Sequence, residues 1–257
     1  MSKKSHVSII HGLAWLVVVL ALSSQAHSES ERVVVGPEQV GLLELYTSEG
    51  CSSCPPADRY FTALVDDPAV FDTLVPVAFH VDYWDYLGWR DRFASAAFSA
   101  RQRNHVRDGH ARTVYTPGFF YNGDEWRQFF GGDLTDFPAA MAGGRLTVEH
   151  ADANVSLRFE PLATVDSPLV ATIVRLGFNL KTAVKAGENR GRELRHDFVV
   201  THLDTFPLTQ VNGQWSATVT LPEPRYGAGK QAIAVWISQK AGAKPLQAAG
   251  MWVSSVE

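Results

Sequence analysis

The chain carries two cysteines in 257 residues, Cys51 and Cys54, three positions apart. An intramolecular disulfide in this protein can only be that one. A ring so small is a poor staple: loop-closure entropy gives about 2 kcal/mol for it, against about 3 kcal/mol for a fifteen-residue loop. What the spacing supplies is a second thiol within reach of a mixed disulfide formed at the first. The pair therefore reads first as redox chemistry. A structural disulfide and half of a metal site are the other readings, the latter drawing on nine histidines because no second C-x-x-C exists.

The neighbouring sequence gives the pair a setting. Residues 40–46 are apolar enough for a central strand, and Thr47-Ser48-Glu49-Gly50 turns the chain into the cysteines. Residues 57–65 have helical spacing, with Tyr60, Phe61, Leu64 and Val65 available for burial. The free N–H groups and positive dipole end of that helix favour a thiolate. Pro55 disfavours helical angles at Cys54, which places the start of the regular helix at Pro55 or Pro56 and leaves Cys51 in the turn.

Upstream, residues 1–26 read as an export signal. Lys3 and Lys4 open it, residues 13–22 are an apolar run too short for a typical membrane span, and small residues precede a cleavage point after Ala26. The mature chain is then periplasmic or secreted, with no stable membrane span, in a compartment where a disulfide persists. Its formal net charge moves from −4 to −6 with the loss of two lysines. An acidic chain without a basic stripe argues against a nucleic-acid partner.

The remaining length suits two modest domains, residues 33–143 and 144–257. In the first, residues 74–81 form a second apolar strand ending at Asp82-Tyr83-Trp84-Asp85. Aromatics and carboxylates gathered at a strand end make Tyr83 and Trp84 a possible substrate lip, with packing and capping as their ordinary alternatives. Residues 91–107 read as a helix with Phe93, Ala97, Phe98 and Val106 inward and Arg101, Arg103 and Arg107 on a solvated face. Thr116-Pro117 enters an aromatic hairpin turned by Asn122-Gly123, and residues 133–142 close the domain as a short helix. A carboxylate buried behind the cysteines, Glu44 or Asp82, would hold the proton that Cys54 must lose.

The order of strand, C-x-x-C, helix, strand, helix, Thr-Pro and hairpin resembles the thioredoxin fold. That resemblance implies an α/β thioredoxin-like domain in which Cys51 attacks and Cys54 is the buried resolving thiol. It also implies that Pro117 is cis and, with Thr116 before it, shapes the substrate groove. Thr47 to Asp58, His80-Val81-Asp82-Tyr83-Trp84-Asp85 and Phe98-Ser99-Ala100-Arg101-Gln102-Arg103 are similar to a bacterial family of predicted secreted, thioredoxin-like proteins labelled a domain of unknown function.

Beyond residue 144 the pattern changes to short alternating stretches, clearest where Trp215, Ala217, Val219 and Leu221 interleave with Ser216, Thr218 and Thr220. These predict a β-sandwich, so the expected fold class is an α/β thioredoxin-like domain followed by an all-β sandwich-like domain. Gly187-Glu188-Asn189-Arg190-Gly191 reads as a loop, for recognition or for connection. The expected function is an exported thiol-disulfide oxidoreductase acting on protein or small-molecule thiols and disulfides, without a cofactor. Two readings compete. One is a thioredoxin-like copper-binding protein using the same cysteines with His80 or His105. The other is a non-catalytic binding or assembly module.

Overall fold

The computed structural model describes residues 30–132, 137–139, 141–226 and 229–253. The expected export signal lies outside them, and the short helix expected over residues 133–142 lies partly outside. In chain order, β1 (Glu31–Val35) and β2 (Gly41–Thr47) precede α1 (Pro55–Ala63), β3 (Leu74–His80) and α2 (Ala96–Arg107). Next come β4 (Gly118–Tyr121), β5 (Asp124–Glu125) and α3 (Gln128–Gly131). Strands alone follow: β6 (Arg145–Ala151), β7 (Asn154–Glu160), β8 (Val170–Gly177), β9 (Leu180–Ala183), β10 (Glu193–His196) and β11 (Val199–Pro207). The last are β12 (Thr209–Val211), β13 (Gln214–Thr220), β14 (Gln231–Ser238) and β15 (Gln247–Val253).

These strands make an eight-stranded sheet in the order β15-β14-β8-β11-β3-β2-β4-β5, a five-stranded sheet β1-β6-β7-β13-β12, and the β9–β10 hairpin. The expectation of an α/β thioredoxin-like domain followed by an all-β sandwich is overturned. The described chain is mostly β, with α1, α2 and α3 spanning nine, twelve and four residues. So little helix cannot make the covering layers of an α/β protein. Four of the strands that were to form a separate sandwich, β8, β11, β14 and β15, instead extend the sheet that holds β2. β11 runs parallel to β3 at Val199 and Ala78, and then antiparallel to β8. The five-stranded sheet also takes in β1, which pairs antiparallel with β6 from Glu31 and His150 to Val35 and Leu146.

The local chemistry explains the central elements. β2 and β3 are buried at every position, as near-continuous apolar strands must be when both faces are covered. The β4–β5 turn uses Asn122 and Gly123 at φ 48° and 85°, the pair of positive angles that a tight two-residue hairpin needs. α1 begins with Pro55 and Pro56 where N–H groups have no helical partner, but Cys54, expected outside helical angles, takes αR angles at its N-cap. α2 starts later than expected, at Ala96 behind the N-cap Ser95, and Asp91 instead hydrogen-bonds His80 and the Glu49 N–H. Among the described residues no helix is long and apolar enough to cross a membrane.

A chain ending at residue 143 would lack β11 beside β3 and β6 beside β1. Such a fragment is expected to be unfolded or aggregated by circular dichroism and size-exclusion chromatography. A soluble fragment with a cooperative urea transition would contradict the continuous sheet as the source of stability.

Candidate functional site

The cysteine turn leaves the end of β2 and enters α1. Cys51 N–H donates to the Ser48 carbonyl at 3.1 Å and Cys54 N–H to the Cys51 carbonyl at 3.3 Å. The two cysteines are joined as a disulfide with Cα atoms 5.5 Å apart. Both are buried, Cys51 at 1% exposure, while Ser52 and Ser53 between them are exposed. The Ser53 hydroxyl lies 3.3 Å from Cys51 Sγ.

Three segments distant in sequence close around this turn. The first follows β3. Trp84 packs so tightly on Gly50 that a Cβ there would sit 3.0 Å from the Trp84 Cβ, and its indole N–H donates to Thr116 Oγ1 at 2.7 Å. The expected lip and groove residues therefore meet beside the cysteines. The Thr116–Pro117 bond is cis, Pro117 is buried, and the pairing of Tyr46 with Gly118 brings it to the end of β2. Tyr83 donates to Gln102 Oε1 at 3.1 Å, and burial pushes its hydroxyl up to about 12.

Glu44 and Asp82 stand in different places. Side chains alternate along a strand, so Glu44 and Thr47 of β2 project to opposite faces. Glu44 faces α2, where Arg101 grips it with two 2.8 Å bonds and the Tyr46 hydroxyl adds a third at 2.7 Å. Burial works against its ionisation, but Arg101 and His105 hold its carboxyl well below the usual range. Arg101, expected on a solvated face, is thus buried. Asp82 is half-buried and exchanges two hydrogen bonds with Ser99, which donates its hydroxyl and accepts the Asp82 N–H. Thr47, on the other face, donates to Asp58 of α1 at 2.8 Å.

On that Thr47 face lies a group of buried ionisable residues of which sequence reasoning singled out only His80, as a candidate copper ligand. His196, at the end of β10, sits with Nε2 3.5 Å from Glu49 and Nδ1 3.7 Å from Asp58. Its ring meets that of His80 edge-on at 4.8 Å, and His80 Nδ1 lies 2.7 Å from Asp91. Asp91 also accepts the Glu49 N–H at 2.9 Å, and the Trp89 indole donates to Glu49 Oε2 at 2.8 Å. Glu49 and Asp58 bracket the cysteines, two residues before one and four after the other.

The electrostatics follow from burial and pairing. Burial pulls the His196 imidazole down, but Asp58 and Glu49 outweigh it and push its pKa up to about 10. Burial pushes Asp91 up, yet His80 and two backbone N–H donors hold its carboxyl below the usual range. Five atoms here lack a hydrogen-bond partner among the described residues: Glu49 Oε1, Asp58 Oδ2, His80 Nε2 and both ring nitrogens of His196. Buried polar atoms are rarely left so, and four of these five face one another across the 3.5 Å and 3.7 Å ion pairs of His196. His105 lies on the Glu44 side, stacked on Phe120 at 4.2 Å. Among the described residues no cluster of three or more His, Cys, Asp or Glu has the geometry to hold a metal ion.

The last segment is the β9–β10 loop, whose β10 end packs on α1. Asn189, fully buried, donates its amide to the carbonyls of Glu49 at 2.9 Å and Cys51 at 2.8 Å. Glu188 accepts the Ser52 N–H at 3.0 Å. The sequence marked this loop as one of two kinds, recognition or connection. No local pattern points it at residues about 140 positions away.

The raised pKa of His196 sets a pH dependence. A pKa near 6.5 unfolded and about 10 folded means its contribution is complete below pH 6.5 and is lost as pH rises through 10. Urea unfolding at pH 6 and pH 10 is expected to show wild type losing on the order of 3 kcal/mol more than His196→Gln. Equal losses would contradict the buried ion pairs.

Solved structures with the same overall fold exist. The crystal structure of protein AGR_C_4864 from Agrobacterium tumefaciens is 23% identical, with a TM-score of 0.57 over 86% of this chain and 98% of that one. HBP35 of Porphyromonas gingivalis is 12% identical, with a TM-score of 0.58 over 84% of this chain and 76% of that one. No curated protein matches the chain. A family profile described as protein of unknown function (DUF1223) matches residues 42–238, a span that runs from β2 to the end of β14 and takes in the cysteine turn and the loop over it. The chain belongs to the DUF1223 family.

Proposed function

We propose that this protein is an exported thiol-disulfide oxidoreductase working through Cys51 and Cys54. The observation that carries the reading is the placement of the disulfide. It closes a ring too small to staple much chain, at the N-terminus of a nine-residue helix. Beside it lie Trp84 and Thr116, and the residues flanking it in sequence reach into a buried acid–imidazole array.

In the oxidised protein a substrate thiolate attacks Cys51 Sγ, the Cys51–Cys54 bond breaks, and Cys54 leaves as a thiolate that takes up a proton. A second substrate thiol then displaces Cys51, leaving a substrate disulfide and a reduced protein, with two electrons transferred. The reverse sequence reduces a substrate disulfide. Substrates are protein or small-molecule thiols, Trp84 and Pro117 shape the approach, and export supplies the compartment in which the pair cycles.

Cys51→Ser is expected to abolish both oxidation of reduced, unfolded ribonuclease and reduction of insulin disulfides. Cys54→Ser is expected to accumulate a mixed disulfide at Cys51, visible as a mass increase. A Cys51→Ser protein with both activities unchanged would overturn the proposal.

A further inference from the structure

Cys51 is 1% exposed, although exchange needs a thiolate to approach its sulfur along the S–S axis. The main-chain contacts around it identify what holds the cysteine turn in place. The Cys51 carbonyl and the Ser52 N–H are the two edges of one peptide group. Asn189 donates to the first at 2.8 Å, and Glu188, the residue before it, accepts from the second at 3.0 Å. Asn189 also holds the Glu49 carbonyl. Two consecutive side chains thus grip the cysteine turn at three backbone atoms.

The loop carrying them is self-contained. Val184 and Arg192 close its base, with Val184 N–H donating to the Arg192 carbonyl at 2.9 Å and Gly191 N–H to the Val184 carbonyl at 2.8 Å. Arg192 orients the Asn189 amide by donating to its Oδ1 at 2.9 Å. Gly187 turns the loop at φ +71° against Trp89, where a Cβ would stand 3.2 Å from the Trp89 Cβ. Most of the loop's other side chains are exposed. The grip therefore rests on a few hydrogen bonds, each worth about 1 kcal/mol net, and such segments open locally without global unfolding.

We propose that residues 184–192 form a strap that gates the disulfide, with Asn189 and Glu188 as the positioning residues that set how fast thiols gain access to Cys51. The inference rests on the oxidoreductase reading and adds its access control. In the closed state the Cys51–Ser52 peptide is fixed. Release of Asn189 and Glu188 frees it and lets the strap lift. Asn189→Asp keeps the size of the side chain but turns a donor into an acceptor facing two carbonyls, so it favours the open state.

The test is the rate at which dithiothreitol reduces Cys51–Cys54 in the native, oxidised protein. The reductant's first sulfur bonds to Cys51 with release of Cys54, and its second closes a ring and releases Cys51. Wild type, Asn189→Asp, Asn189→Ala and Glu188→Ala are compared with Val155→Ala, a buried site in the five-stranded sheet, as a control for general destabilisation. The two Asn189 variants are expected to react about 10- to 30-fold faster and Glu188→Ala about fivefold faster, while the control stays within about twofold of wild type. Asn189 variants no faster than wild type, or no faster than a control with the same loss of Tm, would overturn the strap alone. If dithiothreitol reduces the pair in every protein only after guanidinium unfolding, the oxidoreductase reading falls together with the strap.

Discussion

The cysteine end of this molecule depends on β2. All seven of its residues are buried, between β3 on one side and β4 on the other, and its alternation assigns each side chain to one face of the sheet. Glu44 must face α2, where it is ionised because Arg101 meets it with two bonds and His105 stands beside it. Removing either partner would leave a buried charge uncompensated, a loss of about 3–5 kcal/mol. Thr47 must face α1, where it aligns Asp58. One strand therefore sets both a structural ion pair on one face and the array beneath the cysteines on the other.

Where β2 ends, the chain cannot stay in the sheet, and the turn that follows is gripped from outside. Trp84 and Trp89 come from the segment after β3, Thr116 from the approach to β4, and Asn189 and His196 from the β9–β10 hairpin. Burying charged groups is costly unless they are paired. Glu49, Asp58, Asp91, His80 and His196 meet that condition largely through one another. Four of the five atoms without a hydrogen bond face one another across the His196 ion pairs, which leaves His80 Nε2 as the one without a polar partner among the described residues of this array.

Much of the local structure was legible. Residues 40–46 and 74–81 announced β2 and β3 by unbroken apolarity, and Asn122-Gly123 announced the β4–β5 hairpin by its turn chemistry. The lone cysteine pair named the disulfide by count. What failed was assembly. The alternating strands after residue 144 look the same whether they form a separate sandwich or join the existing sheet, and the parallel contact of β11 with β3 leaves no period in the sequence. Arg101 was misplaced for a related reason. An arginine on a helix reads as solvated unless the carboxylate waiting 57 residues away is known. Asn189 and His196 were invisible as site residues because nothing local distinguishes them from a connection and a strand end.

The central claim, that the Cys51–Cys54 disulfide is made to be exchanged, is tested most directly by its redox equilibrium with glutathione in the intact protein. A midpoint between about −120 and −270 mV, the range of catalytic dithiols, is the result predicted. A value below about −300 mV would mark an inert structural bond and contradict the account.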